Sequence, residues 1–146
     1  MDRRAGTWAW ARAATLACAF PKTTEEYRAA AREGRGTLRI SKVEVRLPYR
    51  KVYANLKAFS EKCFNREVFE GGGAAGYDLR RFESQIVPRS KGKAELSMTI
   101  DGNDWIVTDL EAVKPEQTAV TVYTQWKPYI EQVSGWAAGN RDRCAN

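Results

Sequence analysis

The sequence predicts an α+β domain, in which an antiparallel meander sheet carries two main helices on one face. Two observations lead to this fold class. Short segments that follow the glycine-rich run 71–76 alternate apolar and polar side chains and are separated by turn residues. Apolar residues at helical three-four spacing precede these segments over 49–64 and follow them over 128–143. Strands in succession between helices are typical of α+β domains.

Three helices are predicted from apolar spacing and from residues that commonly begin or end a helix. Thr23 and Glu26 have the spacing of a capping box, and Gly34 supplies a stop for this first helix. A proline stands at the start of each of the other two. The predicted helices cover 24–33, 49–64 and 128–143.

The strands are predicted from alternation. Over 37–47 the apolar parity changes near Ser41 and Lys42, which predicts a β-bulge or two separate short strands. Later in the chain, the turn residues 101–104 (Asp-Gly-Asn-Asp) predict a hairpin. The remaining predicted strands cover 77–87, 93–101, 105–113 and 119–126. The whole arrangement is similar in outline to helix-grip domains.

Composition argues against an enzyme. The chain of 146 residues has no histidine, and its formal net charge is +6. Without histidine, Ser-His-Asp and Cys-His catalysis and every histidine-containing metal site are excluded. The sequence therefore predicts a protein that is not an enzyme, with no catalytic residues, no bound metal and no cofactor.

Residues 1–19 contain the parts of a secretory signal, namely a basic start, an apolar stretch and small residues. The run 16–18 (Leu-Ala-Cys) resembles a bacterial lipobox, in which Cys18 is lipidated and becomes the first residue of the mature protein. The run 17–19 (Ala-Cys-Ala) also fits ordinary signal peptidase, which would remove Cys18. Because Arg12 interrupts the apolar stretch, a cytoplasmic N-terminus is a third interpretation. The predicted organisation is a signal over 1–19, an N-terminal helix and tether over 20–36, and a single α+β domain over 37–146.

The cysteines predict one disulfide. If Cys18 is lipidated or removed, Cys63 and Cys144 are the two cysteines that remain in an oxidising compartment. Each falls on the apolar face of a predicted helix, so the two can meet across a shared core. The bridge would close a loop of about 80 residues. The alternative is two unpaired cysteines in the core, since free cysteine is commonly buried.

Two side-chain sets are candidates for binding. A basic set could contact lipid phosphates or an acidic partner, and its alternative is a solvated surface. Nucleic-acid binding is not favoured, because exposed aromatic residues are not interleaved with this set. The basic residues are Arg80, Arg81, Arg89, Lys91 and Lys93. Trp105, Trp126 and Trp136 could line a pocket for an apolar ligand, although aromatics at such spacing more often form plain core.

Three runs of the sequence resemble small uncharacterised lipoproteins of proteobacteria. They are 16–18, 20–27 (Phe-Pro-Lys-Thr-Thr-Glu-Glu-Tyr) and 43–53 (Val-Glu-Val-Arg-Leu-Pro-Tyr-Arg-Lys-Val-Tyr). The resemblance covers most of 16–144 and implies a periplasmic or outer-membrane address, but no activity. The predicted function is therefore an interaction or accessory module of the cell envelope, attached to the membrane through a lipid anchor, with an unknown envelope protein as partner. An apolar-ligand binder and a cytoplasmic nucleic-acid-binding domain are the alternatives.

Overall fold

The computed structural model describes residues 20–71, 78–140 and 144. Cys18, the signal segment and residues 72–77 lie outside the described residues. Three helices and six strands follow one another along the chain. They are α1 (Thr24–Arg32), β1 (Arg39–Val45), α2 (Tyr49–Cys63), β2 (Arg66–Glu70), β3 (Asp78–Ser90), β4 (Lys93–Ile100), β5 (Asn103–Lys114), β6 (Gln117–Thr124) and α3 (Lys127–Ala137).

The six strands form one antiparallel sheet in the order β1-β6-β5-β4-β3-β2. Strands β2 to β6 are a meander of neighbours, whereas β1 adds to the far edge by pairing with β6. The main core is formed by side chains of α2, α3 and one face of the sheet, and α1 packs on the opposite face. The predicted α+β class, with two main helices against one face of a meander sheet, is confirmed.

The main core is filled by alternate residues of the central strands and by the inner faces of α2 and α3. Leu96 and Met98 of β4 are fully buried, as are Leu56 of α2 and Val133 of α3. Because burial of apolar surface is the dominant favourable term in folding, this layer supplies most of the stability. The second, smaller cluster forms where Tyr27 of α1 covers the other face, and Tyr27 is only 1% exposed.

The predicted bulge near Ser41 and Lys42 is wrong, because β1 pairs with β6 in one unbroken register. Ile40 lies opposite Tyr123, on the side of the sheet that α1 covers. Val43 has the other parity and packs against the main core. Since β1 has a helical layer on both sides, apolar residues of both parities fit a regular strand.

One strand and the end of one helix also differ from the prediction. Strand β2 was not predicted at all. Helix α3 ends at Ala137 rather than near residue 143, because Gly139 takes a left-handed conformation with φ of 86°. Its amide donates to the carbonyl of Trp136, and the amide of Asn140 donates to that of Gly135. Such bonds satisfy the last carbonyls of a helix and end it.

The predicted disulfide between Cys63 and Cys144 is present, with a Cα–Cα distance of 5.0 Å. It joins the last residue of α2 to the chain beyond α3 across 81 residues of sequence. Cys144 itself is not helical, in contrast to the prediction. The bridge therefore connects the C-terminal segment to the two-helix layer.

The buried hydroxyl of Thr108 is expected to destabilise the fold. Thr108 of β5 is fully buried, and no described residue offers its Oγ1 a hydrogen-bond partner. An unsatisfied buried polar group costs free energy, so we expect Thr108→Val to raise the free energy of unfolding by about 1 kcal/mol. Urea unfolding followed by circular dichroism measures this change.

Thr118 of β6 is the matched control. It is also fully buried, but its Oγ1 donates a 2.9 Å hydrogen bond to the carbonyl of Leu47. Thr118→Val should therefore lower the free energy of unfolding, because that carbonyl loses its donor. A change of the same sign in both variants would contradict the explanation.

Candidate functional site

The structure divides the predicted basic set into two groups. Arg80 and Arg81 lie near the start of β3, whereas Arg89 lies near its end and Lys91 and Lys93 follow in the β3–β4 turn and the start of β4. Eight residues of extended strand separate Arg81 from Arg89, which is about 26 Å. The five side chains therefore do not form one continuous patch.

Carboxylates neutralise most of this set. Four of the five basic side chains lie within 4.0 Å of an acidic oxygen, at N–O distances from 2.6 to 3.9 Å. The pairs are Arg80–Asp101, Arg81–Glu67, Arg89–Glu95 and Lys93–Glu111. Within the described ranges, Lys91 alone among the five has no such partner. The unneutralised charge of the predicted set is thus at the β3–β4 turn.

Lys91 borders a surface cavity of about 660 Å³. Three parts of the chain supply its lining: the start of α2, the β3–β4 turn, and the end of β5 with the turn that follows it. Most of the lining is apolar and includes Pro48, Ala112 and Pro115, together with Val113, whose surface is 47% exposed. The volume falls in the range of about 300–1,000 Å³ that is usual for small-molecule sites.

Three cations surround this cavity, one from each of its elements: Arg50 from α2, Lys91 from the β3–β4 turn and Lys114 from the end of β5. In the part of the chain that the structure describes, none of the three forms an ion pair. Arg50 and Lys114 are exposed, as is Lys91. The cavity therefore combines an apolar wall with a positively charged rim.

The start of α2 adds to the positive potential. Its N-cap residue, Pro48, makes no side-chain capping bond, and the first turn contains no acidic residue. The first backbone bonds run from the amides of Lys51 and Val52 to the carbonyl of Pro48. The two preceding amides therefore lie outside the helical hydrogen-bond ladder. The positive end of the helix dipole and Arg50 act in the same direction.

Two hydrogen bonds fix the cavity wall. The amide of Ala112 donates a 2.8 Å hydrogen bond to the carbonyl of Gly92, which holds the two hairpin ends together. Gly92 has a positive φ of 72°, and a Cβ there would lie 3.1 Å from the Cβ of Ala112. Only glycine meets both conditions easily. On the helix side, the bond from Thr118 to Leu47 holds the entry to α2 against β6.

A second polar cluster holds α1 on the sheet. Arg28, only 6% exposed, donates from Nε to Asp109 at 2.9 Å and also hydrogen-bonds Glu95 on the neighbouring strand. Arg89 donates to Glu95 at 2.6 Å from the other side. The hydroxyl of Tyr27 donates to the carbonyl of Trp105 at 2.6 Å. These bonds satisfy the buried charges, so this cluster positions α1.

Burial and ion pairing oppose each other in this cluster. Burial alone would raise the pKa of Glu95, but hydrogen bonds from Arg28 and Arg89 outweigh it and hold that pKa below its ordinary value. Burial would likewise lower the pKa of Arg28, but its bonds to Asp109 and Glu95 raise it. Arg28 and Glu95 are therefore both ionised at neutral pH.

The lowered pKa of Glu95 predicts an acid-sensitive contribution to stability. Its folded pKa lies below the ordinary value of 4.5, so the contribution is complete above that pH and is lost as the pH falls through the folded pKa. We expect Glu95→Gln to lower the free energy of unfolding by about 2 kcal/mol at pH 7. The gap between variant and parent should narrow below about pH 4.5, as urea titrations over pH 3–7 can measure.

The exposed Glu83→Gln variant is the matched control for this profile, since Glu83 lies only at the limit of contact with Arg81, at 3.9 Å. It should follow the parent protein at every pH. A constant gap between Glu95→Gln and the parent across the whole range would contradict the assignment.

Side chains occupy the space between the sheet and the two-helix layer. Trp136 is 3% exposed and belongs to the main core. Trp105 and Trp126 stack at 4.0 Å between ring centroids and with an interplanar angle of 8°. This packing disfavours an apolar ligand between sheet and helices. The cavity at the start of α2 is therefore the better candidate site.

Two structural features are absent from the described residues. No helix there is long and apolar enough to cross a membrane. No group of three or more cysteine, aspartate or glutamate side chains in the same ranges is arranged to hold a metal ion.

No family model matches the sequence, and neither does any curated protein. A crystal structure of protein CV1439 from Chromobacterium violaceum, a structural genomics target, is similar to this chain with a TM-score of 0.41. The two sequences are 11% identical, over 72% of this chain and 99% of that one. A likeness this distant has no bearing on function.

The cavity could not be predicted from the sequence because its residues come from three separate parts of the chain. Lys91 was the only one of its cations in the predicted basic set. A local signal did exist: Arg50 and Lys51 stand in the first helical turn after Pro48, where acidic residues are usual. These two basic residues depart from the usual preference at a helix start, and they mark the end of α2 that borders the cavity.

Proposed function

We propose that the protein is a domain of the cell envelope, attached to a membrane through a lipid on Cys18, which acts as an interaction or accessory module rather than as an enzyme. The observation that carries this proposal is the disulfide between Cys63 and Cys144. Disulfides persist in oxidising compartments such as the periplasm and are rare in the cytosol. The absence of histidine from the sequence supports a role without acid–base catalysis.

The docking of α1 supports a short tether. Helix α1 begins at Thr24, six residues after Cys18, and Arg28 fixes it to the sheet. Six extended residues span at most about 22 Å. A lipid on Cys18 would therefore keep the domain close to the bilayer surface. A partner in the same membrane, or the membrane itself, would then be within its reach.

Intact mass with differential thiol labelling tests the proposal. The protein is taken from envelope and soluble fractions and alkylated with and without prior reduction. We expect an envelope form that begins at Cys18, carries acyl groups, and has two thiols that are labelled only after reduction. A Cys18→Ser variant should lose the acyl mass and the membrane association.

Two outcomes would contradict parts of the proposal. A soluble chain that retains residue 1 and has three free thiols would overturn the envelope location altogether. An envelope form that lacks Cys18 and carries no acyl group would leave the location intact and remove the anchor.

A further inference from the structure

We propose that the cavity at the start of α2 binds the phosphate headgroup of an anionic phospholipid, whose adjoining apolar part lies against Val113 and Pro48. The juxtaposition that carries this inference is a rim of three unpaired cations from three elements around an apolar wall. The choice of a phospholipid as the source of the phosphate rests on the proposed envelope location. The selection of an anionic amphiphile rests on the cavity alone.

The charge pattern of the β3–β4 hairpin separates this site from an ordinary basic surface. Arg89 and Lys93 each have a carboxylate partner, Glu95 and Glu111 respectively. Lys91 lies between them in sequence, and yet it faces the cavity without a partner in the described ranges. The fold thus neutralises the neighbours of Lys91 and leaves the cavity-facing cation available for an external anion.

The positive charge of the cavity rim favours an anionic ligand. Arg50, Lys91 and Lys114 carry like charges, and none of the three forms an ion pair with a described acidic side chain. The helix dipole of α2 adds positive potential at the same point. A phosphate group carries several acceptor oxygens and accepts charge-assisted hydrogen bonds from arginine and lysine side chains such as those of this rim.

The wall selects an amphiphile over a free phosphate. Most of the lining is apolar, and Val113, near the end of β5, is a large apolar side chain that is 47% exposed. A free phosphate would leave this surface in water, whereas the glycerol and first acyl carbons of a lipid would cover it. Since a backbone bond joins Ala112 to Gly92, the wall is already formed before a ligand arrives.

Monomeric dihexanoyl-phosphatidylglycerol is the probe for this site, titrated into the full chain and followed by the backbone amide signals of Gly92 and Val113. We expect saturable shifts of these two signals. Dihexanoyl-phosphatidylcholine, whose headgroup has no net charge, should bind at least about fivefold more weakly if the rim contributes roughly one surface ion pair. Inorganic phosphate should produce little shift at matched concentration.

Charge-removing variants locate the site. The triple variant Arg50→Gln/Lys91→Gln/Lys114→Gln should weaken binding about tenfold, and each single variant about twofold to threefold. Lys57→Gln is the matched control: it removes an exposed cation from the same helix, about 10 Å from Arg50 along the axis, and should leave binding unchanged.

Four results would overturn the inference. The first is equal affinity for the two lipids, and the second is the absence of any saturable shift. The third is binding by the triple and single variants that is as strong as binding by the parent protein. The fourth is an equal shift with inorganic phosphate, which would identify a free phosphate as the ligand. None of these results depends on where the protein resides in the cell. A disulfide-bonded envelope protein that fails to bind the probe would contradict this inference and leave the proposed location standing.

Discussion

The double variant Cys63→Ser/Cys144→Ser is expected to lose about 4 kcal/mol of unfolding free energy, because its unfolded chain is no longer restricted by a closed loop. The bridge spans 81 residues, more than half of the chain, and the entropy that it removes from the unfolded state grows with loop length. Urea unfolding in oxidising buffer measures the loss. The comparison is best made in a Cys18→Ser background, where no third thiol can exchange with the bridge.

Reduction of the parent protein provides the control for this loss. It should lower the unfolding free energy by about the same 4 kcal/mol and leave the double serine variant unaffected. Parent protein that is equally stable with and without reductant would show that the bridge contributes nothing. A destabilisation of the double variant by reductant would point to an unrelated effect of the reagent.

Arg28→Met is the second large effect. It should lower the free energy of unfolding by about 3 kcal/mol, since removal of one partner from a buried ion pair leaves the other charge uncompensated. Glu95 keeps Arg89 as a partner, and Asp109 is partly exposed, so the loss should lie at the low end of the range for such pairs. Methionine preserves the apolar stem, so the measurement isolates the guanidinium.

Arg32→Met is the matched control on the same helix. Arg32 is exposed, and its contact is with the ring of Tyr123, at 6.0 Å from the centroid. Its replacement should change stability by less than about 0.5 kcal/mol.

Adding Glu95→Gln to Arg28→Met should lower the free energy of unfolding by less than the sum of the two single changes, because the uncompensated charge is gone. Additive losses would mean that the two side chains do not interact.

The sequence predicts those elements whose pattern and end signals agree. The long helix after Pro48 and the alternating strand 93–101 are of this kind, and α2 and β4 follow the predictions within one residue. Strand β2 was missed because charged residues interrupt its short sequence, and its strand form depends on pairing with β3. Pairing of this kind is a tertiary contact that local propensity does not contain.

The disulfide could be predicted from the sequence, whereas the candidate binding site could not. Three cysteines allow few pairings, so the Cys63–Cys144 bridge follows once Cys18 is set aside. A cavity lined from three separate parts of the chain has no local pattern, because Arg50, Lys91 and Lys114 become neighbours only through the sheet topology. The ion pairs of the basic set could not be predicted either, since Glu95 and Glu111 lie on strands that neighbour those of Arg89 and Lys93.

The placement of β1 beside β6 has a consequence for the order of folding. Each β1 residue pairs with a partner that is 73 to 85 residues later in the chain, from Val45 with Thr118 to Arg39 with Thr124. Distant pairings of this kind slow folding relative to helical proteins of the same size. Strand β1 is synthesised first, but it cannot pair in the sheet until β6 has been synthesised. The sheet of a nascent chain therefore stays incomplete until β6 has left the ribosome.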